Sequence, residues 1–379
     1  MAGIYIHIPF CKQACYYCDF HFSTSLKRKE ELLNSIKKEL LLRKNFVENE
    51  TIETIYFGGG TPSLLTIVEL ESIFEVIYSN FSVIEKPEIT LEANPDDLSE
   101  SKIKELAASP INRLSIGIQS FFEDDLKFMN RAHTAEESKN CLSVAMRYFH
   151  NITIDLIYGV PNMTNEKWLK NLQIAFEFGV PHISSYALTV EEKTALHSLI
   201  KKGKVPPVDE NLALTHFNTL VEETQKRGFI QYEISNFGKP NYFSKHNTSY
   251  WLGEKYLGIG PSAHSFNGLE RSWNVSNNAK YIKSLNENTL PIETEILSIK
   301  NRFNEYIMTG LRTIWGVDLK RIEQQFGIDY LLHLEKNAQP FVEKELLKFQ
   351  LNDNGNTVLT TTKKGKFLAD GIASDLFII

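Results

Sequence analysis

"HIPFCKQACYYCDF", residues 7–20, places Cys11, Cys15 and Cys18 in one short run, and where a fourth cysteine would close the set it carries Phe20. The spacing is C-x3-C-x2-C. A structural zinc site takes four protein ligands, so zinc here would need His7 or His21 to complete it. A 4Fe–4S cluster also has four iron corners. Held by three thiolates, it leaves one iron open to a small molecule. A thiol-rich loop without metal is the third reading. The remaining cysteine, Cys141, stands alone in an amphipathic stretch and is expected as a small buried hydrophobe on a helix. An oxidised secreted framework would disperse an even number of cysteines, so this pattern predicts a reducing compartment.

Outward from the cysteines, strand and helix patterns alternate to about residue 230. "GIYIHIPF", "TIETIYFGGG", "PEITLEANP", "NRLSIGIQSF", "NITIDLIYG" and "HISSYALTV" read as strands, each followed by a segment of helical period. Several strands are apolar at nearly every position, as a parallel sheet covered on both faces requires. Right-handed crossovers then curl six βα units toward an open barrel. The expected fold is α/β, a partial (β/α)6 barrel over residues 1–235, with Rossmann layering as the alternative. Residues 236–290 are rich in Gly, Asn and aromatics and read as loops and short strands closing over a site. Residues 291–379 read as helices followed by a hairpin at "QLNDNGNTVLT", a small winged-helix-like domain.

Composition narrows the function. A chain of 379 residues suits one large and one smaller domain. Its net charge of −6 offers no basic field to nucleic acid or anionic lipid, and acidic and basic residues roughly balance in the C-terminal part, against DNA binding. No apolar run approaches the roughly 20 residues of a membrane span. "MAGIYIHIPF" lacks the basic and long apolar regions of a secretory signal. A cytoplasmic protein is expected.

Chemistry-bearing residues recur at predicted strand ends. "YFGGGTP" ends the second strand, where Gly59, Gly60 and Thr61 would let a ligand approach the backbone. No Gly-Lys-Ser/Thr follows, which weakens a phosphate-cradle reading. Glu92 ends the third strand, Gln119 the fourth, and Asp155 lies on the fifth; Arg131 follows Gln119 in the next loop. Singly, Glu92 could be a cap and Asp155 a buried hydrogen-bond partner. Together they point to the mouth formed by the C-terminal strand ends of an α/β barrel.

These features resemble the radical S-adenosylmethionine superfamily. The order of "YIHIPFC", "GGGTPS", "EANP", "GIQSF", "NRAH", "DLIYG" and "GIGPSAHS" resembles its branch of oxygen-independent coproporphyrinogen III oxidases and HemW-type heme chaperones. The resemblance covers essentially the whole chain. It implies that Cys11, Cys15 and Cys18 hold a 4Fe–4S cluster whose open iron takes the amino and carboxylate groups of S-adenosylmethionine. It places Gly59, Gly60 and Thr61 at the methionine amino end and Glu92 against the cofactor's polar groups. Gln119, Arg131 and Asp155 would hold the methionine carboxylate and ribose, and Tyr5, Tyr17 and Ala187 would line the pocket. An electron from the cluster would cleave the sulfonium to a 5′-deoxyadenosyl radical.

Within that branch the oxidases typically carry C-x3-C-x2-C-x-C and a substantial segment before it. The HemW-type proteins carry C-x3-C-x2-C-x-F, as here with Phe20. "HNTSYW", residues 246–251, matches their H-N-x-x-Y-W signature. On a helix His246 and Tyr250 would share a face, and His and Tyr can both ligate heme iron, with Tyr250 and Trp251 flanking the porphyrin. The plainer reading is a hydrogen-bonded His246 beside core aromatics. His264 is a lesser candidate near the cofactor pocket. The expectation is a heme chaperone passing heme to acceptor hemoproteins, respiratory ones at the inner membrane face among them. Oxidative decarboxylation of coproporphyrinogen III is the alternative, and a radical enzyme acting on another tetrapyrrole a third.

Overall fold

The strand ahead of the cysteines, β1 (Ala2–Ile8), lies in the middle of the main sheet in the computed structural model, which describes residues 2–47 and 50–379. Ile4, Ile6 and Ile8 are fully buried on one face of β1. From β1 the sheet runs in chain order through β2 (Ile52–Gly59), β3 (Val83–Ala93), β4 (Arg113–Gln119), β5 (Asn151–Tyr158) and β6 (His182–Ala187), every neighbour parallel. This sequential order is that of a barrel sector; a Rossmann sheet would reverse direction at its first strand.

The crossovers carry α1 (Lys29–Leu42), α2 (Ile67–Asn80), α3 (Glu100–Ala107), α4 (Glu123–Phe128), α5 (Ala135–Tyr148) and α6 (Asn165–Glu177), with α7 (Ala195–Lys201) and α8 (Glu210–Lys226) after β6. Their starts are written locally. Thr66 with Glu69, and Thr134 with Glu137, form reciprocal capping boxes on α2 and α5. Leu70, Ile73, Phe74 and Ile77 make the buried stripe of α2. Cys141 is buried on α5, as expected of it.

The sheet extends beyond the six expected strands at both edges. β7 (Ile230–Glu233) and β8 (Asn236–Gly238) add an antiparallel hairpin to β6. After α9 (Lys245–Leu252), β9 (Lys255–Ile259) pairs parallel to β1 on the side away from β2. β10 (His264–Phe266) and β11 (Glu270–Asn274) continue antiparallel, and after α10 (Asn278–Asn286) so does β12 (Ile292–Ile296). Residues 236–290 thus serve both edges of the sheet.

The C-terminal region has its own apolar centre, built on Phe303, Ile307 and Leu311 of α11 (Ile299–Leu311). Around it pack α12 (Leu319–Phe326), α13 (Ile328–Glu343), α14 (Ala369–Asp375) and an antiparallel sheet ordered β13 (Val317–Asp318), β15 (Thr357–Thr361), β14 (Leu347–Leu351). The β14–β15 hairpin turns at Gly355, φ +76°, giving the winged-helix-like arrangement. Arg312 ties this region to the barrel, reaching Glu233 at 2.8 Å and Asp370 at 2.6 Å.

Candidate cluster site and adjoining cavity

After Ile8 the chain leaves the sheet as the cysteine loop. The loop is closed at its base, where the Cys11 N–H donates to Ser23 O (3.1 Å) and the Ser23 N–H to Pro9 O (2.7 Å). Its turn is set by the Cys18 N–H on Cys15 O (3.3 Å). Neighbouring strand ends hold it down. Lys12 pairs with Asp96 (2.8 Å) and Asp97 beyond β3. Gln13 donates to Asn130 O (2.9 Å), and Asn130 returns a bond to Ala14 O (2.7 Å). The three thiols are free and half-buried. Among the described residues no three His, Cys, Asp or Glu side chains gather as a single metal ion requires, so neither His7 nor His21 completes a zinc site. Yet the thiols feel one another's charge. Burial and that neighbourhood raise Cys11 and push Cys18 up to about 11. Deprotonating these thiols needs a positive partner, and a 4Fe–4S cubane fits a donor set of three thiols.

The glycines at the end of β2 are required by β1 and this loop. A Cβ on Gly60 would lie 2.7 Å from Phe10 O, and one on Gly59, whose φ is +104°, would lie 2.5 Å from the His7 ring. Behind them, Glu92 accepts from Tyr56 Oη (2.8 Å) and the Gly59 N–H (3.0 Å). Desolvation raises Glu92. Desolvation, helped by the Glu92 charge and opposed by Arg113 and Arg131, raises Asp155 to about 7. Arg131 donates to Asn94 Oδ1 (2.7 Å), Gly117 O (3.0 Å), Cys15 Sγ (3.2 Å) and Tyr17 Oη (3.4 Å). Asn94 in turn donates to Thr61 (3.2 Å). Gln119 is turned at the end of β4 by a register break and a φ of +64°. Tyr5 joins through its 3.2 Å bond with His7 Nδ1, and Ala187 ends β6. Two carboxyls held up by burial, with the Arg113 and Arg131 guanidiniums near Asp155, suit a ligand that brings an ammonium and hydroxyls. Asn94, which ties Thr61 to Arg131, sits in the "EANP" motif but was not singled out by its sequence.

His246 on α9 is buried, with its Nδ1 bonded to Thr54 Oγ1 (2.7 Å) and its Nε2 to Tyr250 Oη (2.7 Å). Burial lowers it to about 3. In this conformation both ring nitrogens are taken, and His246 positions Tyr250. Tyr250 and Trp251 instead reach a cavity of about 980 Å³ between the cysteine loop, the β9–β11 extension and the C-terminal helices, the upper end of the roughly 300–1,000 Å³ usual for ligand sites. Phe20, 68 % exposed, stands at its wall. The opposite wall comes from Arg302, Glu305 and Thr309 of α11 and from Arg321 of α12. Sequence reasoning did not find this wall: the positions form the polar side of amphipathic α11, which without tertiary information reads as solvent-facing.

Residues 5–175 match the Radical SAM superfamily and residues 297–366 the HemN C-terminal domain. The Bacillus subtilis protein named heme chaperone HemW is 33 % identical over 98 % of both chains. The chain belongs to the HemW family of radical SAM proteins. A Lactococcus lactis relative of the same name is also 33 % identical, over 97 % of each chain. The solved Escherichia coli coproporphyrinogen III oxidase HemN superposes with a TM-score of 0.85 over 99 % of this chain and 90 % of its own, at 22 % identity, a likeness of fold. The superfamily implies a 4Fe–4S cluster and S-adenosylmethionine, and the donor set and paired carboxyls described above fit both. Among the described residues no helix is long and apolar enough to cross a membrane.

Proposed function

We propose that this protein is a cytoplasmic heme chaperone that binds heme and passes it to acceptor hemoproteins, respiratory enzymes at the inner membrane face among them. Cys11, Cys15 and Cys18 would hold the cluster. S-adenosylmethionine would sit at the barrel mouth against Gly59, Gly60, Thr61, Glu92, Gln119, Arg131 and Asp155, with Tyr5, Tyr17 and Ala187 at the pocket edge. When bound, the cluster supplies an electron to the sulfonium. Heme would occupy the adjoining cavity against Tyr250 and Trp251, with His246 fixing the Tyr250 hydroxyl.

The observation that carries this reading is the cavity itself, lined by aromatic rings and by arginines beside the cysteine loop. The names of the relatives at 33 % identity support it. The fold shared with HemN supports the second reading, oxidation of coproporphyrinogen III, while Phe20 in the cysteine loop favours the first. An anaerobic assay on the reconstituted protein separates them. Stoichiometric heme uptake without turnover of coproporphyrinogen III is expected; vinyl product at catalytic turnover would establish the oxidase.

A further inference from the structure

Four histidines surround the cavity or lie just behind it, and their hydrogen bonds rank them. His7 is buried, with Nδ1 bonded to Tyr5 Oη (3.2 Å) and Nε2 to His21 O (3.0 Å). His21 spends Nε2 on Asn278 Oδ1 (2.7 Å). His246 spends both nitrogens and does not reach the cavity wall. His264 reaches the wall, is exposed, and has no hydrogen bond from either ring nitrogen among the described residues.

Strand geometry aims His264 inward. On β10 the buried Ser265 hydroxyl bonds the Gly258 backbone, so by the two-residue alternation His264 and Phe266 share the other face, toward the cavity. Their partners across β10–β11 are Trp273 and Arg271. The His264 ring stacks on Trp273 (centroids 6.1 Å apart, planes at 30°), which fixes its plane. Burial and the Arg271 charge lower His264 from its ordinary value, so the imidazole is neutral and carries a lone pair at neutral pH.

The cations facing it are ranked the same way. Arg271 is held bidentate by Glu305 (2.8 and 2.9 Å). Arg321 lies over the Tyr306 ring and bonds Gln325. The Arg302 guanidinium has no ion pair or hydrogen bond among the described residues, and its Nε is buried without a partner. An unpaired, partly buried guanidinium lacks a carboxylate.

Resting on the heme reading above, we propose that the cargo's iron is ligated by His264 and one of its propionates is bound by Arg302. The sheet extension would then hold the metal and the C-terminal domain the carboxylate, so the cargo bridges the two regions.

The test is a ferric heme titration of the full-length, cluster-reconstituted protein, read in the visible spectrum. His264→Ala is expected to abolish the histidine-ligated spectrum and raise Kd about tenfold or more, with added imidazole restoring the spectrum. His246→Ala is expected to keep the ligation signature. Arg302→Ala is expected to weaken heme binding while leaving binding of heme dimethyl ester, which has no free propionate, unchanged. Circular dichroism and cluster absorbance report that each variant is folded. A His264→Ala protein with wild-type spectrum and affinity, or loss of the signature in His246→Ala alone, overturns the iron assignment. Equal losses of heme and ester binding in Arg302→Ala overturn the propionate assignment. If the wild-type protein takes up no heme, the chaperone reading falls and takes this assignment with it.

Discussion

The barrel mouth and the cavity beside it share the cysteine loop but spend their polar groups differently. At the mouth, Arg131 makes four bonds within the chain, Glu92 two, and the loop is tied to three neighbouring segments. At the cavity, the His264 ring and the Arg302 guanidinium reach the wall with no hydrogen-bond partner among the described residues. A resident cofactor is served by groups fixed before it arrives, because binding then costs little ordering. A cargo that must leave is better met by groups that it alone satisfies.

The largest effect expected from this contrast is at the cysteines. Cys18→Ser should abolish reconstitution of the 4Fe–4S cluster, read by its visible absorbance, while far-ultraviolet circular dichroism stays native; a variant that still assembles a normal cluster would break the assignment of the mouth. Next, Arg312→Ala leaves the buried Glu233 without its cation and removes the guanidinium 5.1 Å from the Trp251 ring. Breaking such a pair should cost about 3 kcal/mol in urea unfolding, the low end for a buried pair because Arg312 is partly exposed, with a weakening of heme binding. Gly60→Ala forces a methyl against the Phe10 and Ile8 backbone and should cost about 1–3 kcal/mol; a neutral result would show the loop to be looser than its hydrogen bonds imply.

The remaining effect is in pH. Asp155 titrates at about 7 in the fold against about 3.9 when unfolded. The folded state therefore binds the extra proton between those values, and this group's contribution to stability falls as pH rises from about 4 to about 7. Asp155→Asn should flatten that part of the stability profile, measured by denaturant midpoint against pH. A profile of unchanged slope would mean that the Asp155 carboxyl is ionised throughout, and that the mouth is less desolvated than described.

The legible parts of the molecule were those whose causes are local. The six parallel strands showed in runs such as "NRLSIGIQ", where β4 is buried along its whole length. β9 was not legible as a seventh parallel strand: "KYLGI" is short, and its partner β1 lies about 250 residues away in sequence. The glycines illustrate a different limit. Their need for space was readable, but that His7 and Phe10 occupy it depends on the path of the cysteine loop. Arg302 was opaque, and His264 was legible only as a lesser candidate near the cofactor pocket, because a polar side chain on a helix or hairpin acquires meaning only from what the fold sets opposite it.

The central place of β1 has a consequence for how the protein is made. It is the first described strand, yet its second neighbour, β9, emerges from the ribosome only after six βα units have been synthesised. Until then one flank of the nascent barrel lacks its backbone partner, and pairings this distant in sequence form slowly. The support of the cysteine loop is completed late, so iron and sulfide are best delivered to a finished chain.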